Sequence, residues 1–276
     1  MPKPKLQTVV VNGVAGCFTD QGDGPVIVLL ASPFARVGLY RPLIDALSRD
    51  FRVIAVEMPG CGCAARLRRA WRFDAYAEWV AAFLEKLNLR DVLLIGHSYT
   101  GAVAIVLGAG ACDRVSGMVL ADPVGASGPR SILAVLVGAA ICVPLEIRFV
   151  LRGVPHLSYN LLRHSRNFLV QFWRAVRADL RDVAPRVRPP VLLAWGALDF
   201  IMPVSGAQTL QSLIPHARLA VSKRGSHDWL IDRAGEFARS VRAFRASLAG
   251  SGDAKPSQWT VSDERVSSVT SPSRRA

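Results

Sequence analysis

Five uninterrupted apolar runs, rich in β-branched residues and separated by helix-length segments, constrain this 276-residue chain more than any other feature. They are VIVLL (26–30), VIAV (53–56), VLLI (92–95), MVLA (118–121) and VLLAW (191–195), with LAV (219–221) as a short sixth candidate. A strand with one face in water alternates apolar and polar residues, whereas a continuous apolar run bounded by turn residues suits a strand buried on both faces. Between the runs, YRPLIDALS from Tyr40 puts Leu43, Ile44 and Leu47 on one helical face, and FDAYAEWVAAFLEKL (73–87) repeats that spacing over four turns. Strand and helix alternate, which predicts an α/β fold: a mostly parallel central sheet with flanking helices. Upstream, Asn12-Gly13 separates two β-prone runs and predicts an antiparallel hairpin, because both turn positions favour positive φ.

The alternation lapses once. From Pro123 to Pro190, 68 residues pass before the next strand, far more than one crossover requires. The expected organisation is therefore a core of residues 1–122 and 191–248, a helical cap inserted at 123–190, and a tail at 249–276. The tail loses apolar periodicity and gains Ser, Pro and charge, which predicts disorder.

The net charge is +13, and the cap's ten arginines against three carboxylates supply +7 of it. Such a field attracts anions, and the basic cap suggests peripheral contact with an anionic membrane. No aromatic-interleaved basic motif is present, so no nucleic-acid partner is expected; the segment ARLRRAWRFDAY (64–76) reads as a solvated loop and helix start. The longest apolar stretch, ILAVLVGAAICVPL (132–145), has 14 residues. A bilayer span needs about 20, which leaves a buried or interfacial helix. The N-terminus has no apolar segment of signal-peptide length, so a cytoplasmic setting is expected. The five cysteines are odd in number and contain no C-x-x-C pair, a poor framework for disulfides or zinc, and are expected to stay reduced.

The segment IGHSYTG (95–101) follows the VLLI run and leads into the helix-compatible GAVAIVLGAG. Ser98 thus stands where a strand must turn sharply into a helix, with small neighbours that relieve crowding and leave its hydroxyl at the tip. An alcohol is a weak nucleophile at neutral pH and needs an adjacent base, usually a histidine oriented by a carboxylate. Asp199 follows the VLLAWG strand and His227 follows LAVSKRG, both at carboxyl ends, where open sheets place ligands. Asp122, after MVLA, is the rival acid.

Taken together, VNGV (11–14), GDGPVIVLL (22–30), EMPGCG (57–62), GHSYTG (96–101), WGALDFIMP (195–203) and GSHDWLIDRAGEF (225–237) resemble, in order and interval, the α/β-hydrolase family. The resemblance implies Ser98 as nucleophile, Asp199 as acid and His227 as base, in the family's order. It also implies a backbone oxyanion hole with one donor from Tyr99 N–H, and no cofactor or metal. His97 is expected to face away from the reacting side, and His156, His164 and His216 to be surface or satisfied core residues.

Two positions depart from the family. Thr100 stands where glycine is usual, with Gly101 displaced by one, and a β-branched side chain crowds the packing there. After the first buried strand, Ala31-Ser32 replace His-Gly and the next residue is Pro33, which has no N–H. The second donor must then come from Phe34 N–H in a shifted loop, or from a side chain such as Ser32; losing one donor costs on the order of 3 kcal/mol in the transition state. The expected activity is hydrolysis of a hydrophobic ester or thioester through an acyl-enzyme on Ser98. The alternatives are a C–C bond hydrolase or perhydrolase with the same triad, or a weakly catalytic ligand-binding or membrane-associated protein. Epoxide and halide chemistries use an Asp nucleophile, which Ser98 argues against.

Overall fold

A computed structural model describes residues 5–110, 112–249 and 259–260. The chain begins with the hairpin β1 (Gln7–Val11) and β2 (Val14–Gln21), whose turn has Asn12 at φ 49° and Gly13 at φ 75°. It continues through β3 (Val26–Leu30), α1 (Arg41–Leu47), β4 (Arg52–Glu57), α2 (Phe73–Lys86), β5 (Val92–His97), α3 (Tyr99–Ala109) and β6 (Val115–Ala121). Three helices follow: α4 (Ile132–Leu145), α5 (Ile147–Arg163) and α6 (Ser165–Arg177). The rest comprises β7 (Val191–Gly196), α7 (Ser205–Leu213), β8 (Arg218–Ser222), α8 (Trp229–Asp232), α9 (Ala234–Ala249) and the two-residue β9 (Trp259–Thr260).

The strands form one sheet in the order β1-β2-β4-β3-β5-β6-β7-β8-β9. β2 pairs antiparallel with β1 and with β4, and every later pairing is parallel. Each buried run divides its side chains between two cores. Val28, Leu30, Ile54, Val56 and Leu94 pack toward α2 and α3, while Ile27, Leu29, Val53, Ala55, Leu93 and Ile95 pack toward α1 and α9. Burial on both faces explains why these strands read as continuous rather than alternating. The chain reverses direction across the sheet between β3 and β5, so the loops after these two strands part at their carboxyl ends and open a crevice.

The long interval between β6 and β7 holds α4, α5, α6 and a short 3₁₀ turn at Ala184–Arg186. Most of the expected tail lies outside the described residues; Trp259 and Thr260 pair in parallel with β8.

The cysteines require a correction. Cys17 and Cys63 form a disulfide, with Cα atoms 6.2 Å apart, while Cys61, Cys112 and Cys142 are free. The bridging residues are 46 positions apart, so their spacing carries no signal. The fold brings them together: Cys17 lies opposite Glu57 in the β2–β4 ladder, and the Glu57 carboxylate accepts the Cys63 N–H at 2.7 Å. That same buried carboxylate accepts Val37 N–H at 3.0 Å, so the acidic residue of EMPGCG organises two loops at the sheet's carboxyl edge. Gly62, at φ 55°, has no room for a side chain, because a Cβ there would meet the Glu57 carboxylate at 1.9 Å.

Candidate active site

Ser98 is the hinge between β5 and α3, at φ 52° and ψ −115°, a strained conformation for a residue with a side chain. Its own fold holds it there. Ser98 N–H donates to Ala121 O at 2.9 Å, and Ser98 O accepts from Gly101 N–H at 3.1 Å and Val124 N–H at 3.2 Å. A Cβ on Gly96 would lie 2.6 Å from Thr100 O, and one on Gly101 would lie 2.7 Å from Pro123 Cβ, so both flanking glycines are sterically required. Thr100, expected only to crowd the turn, ties it down instead. Its buried Oγ1 accepts His97 N–H at 2.9 Å and sits 2.8 Å from Leu30 O, joining the elbow to the end of β3.

His227 Nε2 lies 3.0 Å from Ser98 Oγ, and Nδ1 lies 2.7 Å from Asp199 Oδ2. A carboxylate only accepts, so Nδ1 carries a proton, and in the neutral ring Nε2 is left to accept from the Ser98 hydroxyl. The other Asp199 oxygen accepts the N–H groups of Ile201 at 2.8 Å and Met202 at 2.7 Å, which fixes the carboxylate plane. Burial opposes protonation of His227, but the Asp199 carboxylate outweighs it and raises the imidazole pKa well above the ordinary value. Asp122 does not reach His227. Its carboxylate accepts Gly196 N–H at 2.9 Å and Trp229 Nε1–H at 3.0 Å, and burial pushes its pKa well up.

Behind His227 runs a buried chain of hydrogen bonds. His97 Nε2 lies 3.1 Å from His227 O, a carbonyl that can only accept, so this nitrogen carries the proton. His97 Nδ1 must then accept from Tyr40 O–H at 2.9 Å, and Tyr40 in turn accepts Ser32 N–H at 3.1 Å. Burial drives His97 down to about 3, which keeps it neutral. It therefore supports His227 through the backbone carbonyl, and it lines the same cavity as Ser98, although it was expected to face away from the reacting side.

The loop after β3 brings Ser32 and Phe34 to the same cavity as Ser98 and His227, with Phe34 N–H donating a long 3.4 Å bond to Ser32 Oγ. Tyr99 N–H belongs to the first turn of α3, where helix geometry supplies no backbone partner. The cavity measures about 430 Å³ and lies between core and cap, with walls that are predominantly apolar, including Val135, Val150, Leu157, Phe168 and Phe172. At its edge, Asp228 is pushed up to about 8 by burial, and its Oδ1 lies 3.8 Å from His97 Nε2. Glu146, from the α4–α5 junction, accepts Asp228 N–H at 2.7 Å.

The architecture agrees with the comparisons to known proteins. Residues 25–138 match the family profile described as alpha/beta hydrolase fold. Over that stretch the chain resembles the α/β-hydrolase family, and its sheet has the alpha/beta hydrolase fold. A pimeloyl-[acyl-carrier protein] methyl ester esterase of Aliivibrio salmonicida is 26% identical to this chain over 249 residues, covering 81% of the chain and 93% of the relative. The dihydrolipoyllysine-residue acetyltransferase component of the acetoin cleaving system of Pseudomonas putida is 27% identical over 220 residues, covering 72% of the chain but only 57% of that relative. Among solved structures, the enol-lactonase from Burkholderia xenovorans superimposes with a TM-score of 0.74 at 20% identity, covering 87% of this chain and all (100%) of that one.

Three polar residues that support the loops around the cavity, Asn160, Asn167 and Gln171, were not singled out in the sequence, and His164, expected to be a surface or satisfied core residue, lies among them. Asn160, His164, Asn167 and Gln171, spaced by four, three and four, are buried on the inner side of α5 and α6. Asn160 Nδ2 donates to Pro33 O and Ala35 O, each at 3.0 Å, and its Oδ1 accepts Gly62 N–H at 2.8 Å. His164 Nε2 meets Gly62 O at 2.9 Å, Asn167 donates to Gly60 O at 2.8 Å, and Gln171 donates to the Tyr76 hydroxyl. Their helical spacing was the available signal: a polar stripe in helices whose remaining residues are mostly apolar or basic. His216, by contrast, is exposed and meets Pro189 O, and His156 is half-buried.

Proposed function

We propose that this hydrolase cleaves carboxylic esters or thioesters with an apolar acyl group, through an acyl-enzyme on Ser98. The reading rests chiefly on the unbroken hydrogen-bond chain Asp199–His227–Ser98 opening onto an apolar cavity. His227 Nε2 takes the Ser98 hydroxyl proton as Oγ attacks the carbonyl carbon, and Asp199 stabilises the imidazolium that forms. The tetrahedral intermediate collapses as His227 returns that proton to the leaving alcohol or thiol. Water then enters, loses a proton to His227, and attacks the acyl carbon to release the acid and regenerate Ser98.

The developing oxyanion takes its first hydrogen bond from Tyr99 N–H and its second from Phe34 N–H. Asn160 is a positioning residue for the second. In a trans peptide the carbonyl and the N–H point in opposite directions, so holding Pro33 O on the Asn160 side turns the Phe34 N–H away from it. The bond from Phe34 N–H to Ser32 Oγ, at 3.4 Å, is weak enough to yield to an oxyanion. The methyl ester esterase activity of the Aliivibrio relative supports the ester reading.

The test is labelling by a fluorophosphonate together with turnover of short- and medium-chain aryl esters. Wild-type protein should label and turn over ester, and Ser98→Ala should do neither. Equal labelling of both proteins would overturn the proposal. Labelling without ester turnover would redirect the same triad to C–C bond hydrolysis.

A further inference from the structure

The helices that roof the cavity also present an unusual outer surface. α4 has no charged residue along its length, and Leu133, Leu136, Val137, Ala140, Ile141 and Pro144 form an exposed row at helical spacing, Leu133 being 71% exposed. On its inner side Gly138 packs so tightly on the Asp199 loop that a Cβ would lie 2.2 Å from Phe200 O, so that side cannot be the one in water. α5 continues the exposed apolar surface with Ile147, Leu151, Val154 and Leu162, the last 82% exposed. On α6 an exposed row runs Arg166, Leu169, Trp173, Arg177, with the Arg177 guanidinium 4.7 Å above the Trp173 ring. Soluble monomers rarely leave contiguous apolar surface of this kind uncovered.

Two further observations identify what covers it. The surface is fringed by cations: Arg148, Arg152, Arg166 and Arg177 are exposed, and among the described residues none of them pairs with a carboxylate. A helix with leucines and a tryptophan on its exposed side and arginines at the margin suits the headgroup–acyl boundary, where the arginine stems lie along apolar surface and the charges reach phosphate. A second copy of this chain would set arginine against arginine. The cavity mouth also lies on this surface, because Val143, Val154 and Leu157 both line the cavity and are exposed. No helix among the described residues is long and apolar enough to cross a membrane. The contact is therefore with a surface.

We propose that the outer surface of the cap docks on an anionic lipid bilayer, bringing the cavity mouth to the interface from which a poorly water-soluble substrate enters. Docking stands apart from the ester reading; only the delivery of substrate rests on it. The experiment uses the full chain carrying Ser98→Ala, so that binding is read independently of turnover, sedimented with vesicles of phosphatidylcholine alone or mixed with phosphatidylglycerol.

The protein should sediment with the mixed vesicles and far less with the neutral ones, and added salt should weaken binding without abolishing it. The triple variant Leu133→Glu/Leu136→Glu/Ile141→Glu, none of whose positions lines the cavity, should bind mixed vesicles about a hundredfold more weakly. Its circular dichroism and thermal midpoint establish that it is folded. Arg148→Glu/Arg152→Glu provides a second, apolar-neutral arm and should remove the preference for phosphatidylglycerol. Absence of sedimentation with either vesicle would overturn the proposal. So would a dimer in sedimentation velocity that the triple variant converts to monomer without changing vesicle binding.

Discussion

The elbow carrying Ser98 and the loop carrying Phe34 face the same cavity, yet they are held in different ways. The elbow is fixed by its own neighbourhood in the core: glycines at 96 and 101, backbone bonds to Ala121, Gly101 and Val124, and the Thr100 hydroxyl bridging to β3. The Phe34 loop is tied to the core at Ser32, through Tyr40, and takes a second restraint from the inserted helices, through the two Asn160 bonds that bracket Phe34 and the rings of Phe168 and Phe172 around its side chain. In the proposed mechanism the core thus builds the nucleophile, while the cap sets the second oxyanion donor. This division accommodates Pro33: a loop that lacks the family's usual amide can still present the next one if something outside it fixes the peptide plane.

Asn160 is the residue at which the two loops separate most sharply. Asn160→Leu keeps the branched outline of the side chain but removes all three hydrogen bonds, and kcat should fall about 100-fold, the loss expected of one oxyanion donor. KM should change by less than about threefold, because the donor acts chiefly in the transition state. A rise in KM with kcat unchanged would reduce Asn160 to a packing residue. Thr100→Val probes the other half. Removing a buried hydroxyl that serves several backbone groups should cost about 1 to 3 kcal/mol of stability, read as a lower thermal midpoint. Because the elbow has further restraints, kcat should stay within a few-fold of wild type, and a collapse in kcat would show that Thr100 alone carries the turn.

The smallest expected effect is in the pH profile. His227 must be neutral to accept the Ser98 proton, and the Asp199 carboxylate raises its pKa, so kcat/KM should climb with pH through a limb above about 6.5, the ordinary imidazole value. Asp199→Asn should move that limb downward while lowering the plateau. Asp228, held at about 8 by burial, should add a shallow second inflection as its negative charge appears beside His227. Asp228→Asn should remove that inflection and leave the main limb in place; its persistence would assign it to another group.

Much of this was legible because the informative signals were local. Five continuous apolar runs became five parallel strands, and Asn12-Gly13 became the hairpin turn. Ser98, Asp199 and His227 could be picked out because each follows a strand at its carboxyl end. What escaped is long-range by nature. The Cys17–Cys63 bridge exists only once β2 has paired with β4. Asn160 touches residues more than 120 positions earlier in the chain, so nothing near it in sequence marks what it holds. Thr100 was read by its bulk, whereas its hydroxyl determines its behaviour.

The row of hydrogen bonds from Ser32 through Tyr40 and His97 to His227 has one further property. It begins at a peptide N–H, which is not an acid at ordinary pH, and ends at a peptide carbonyl, which holds no proton and is too weak a base to take one. Position can pass along it and charge cannot: it is a strut between the two banks of the cleft, electrically insulated from the proton transfers beside it.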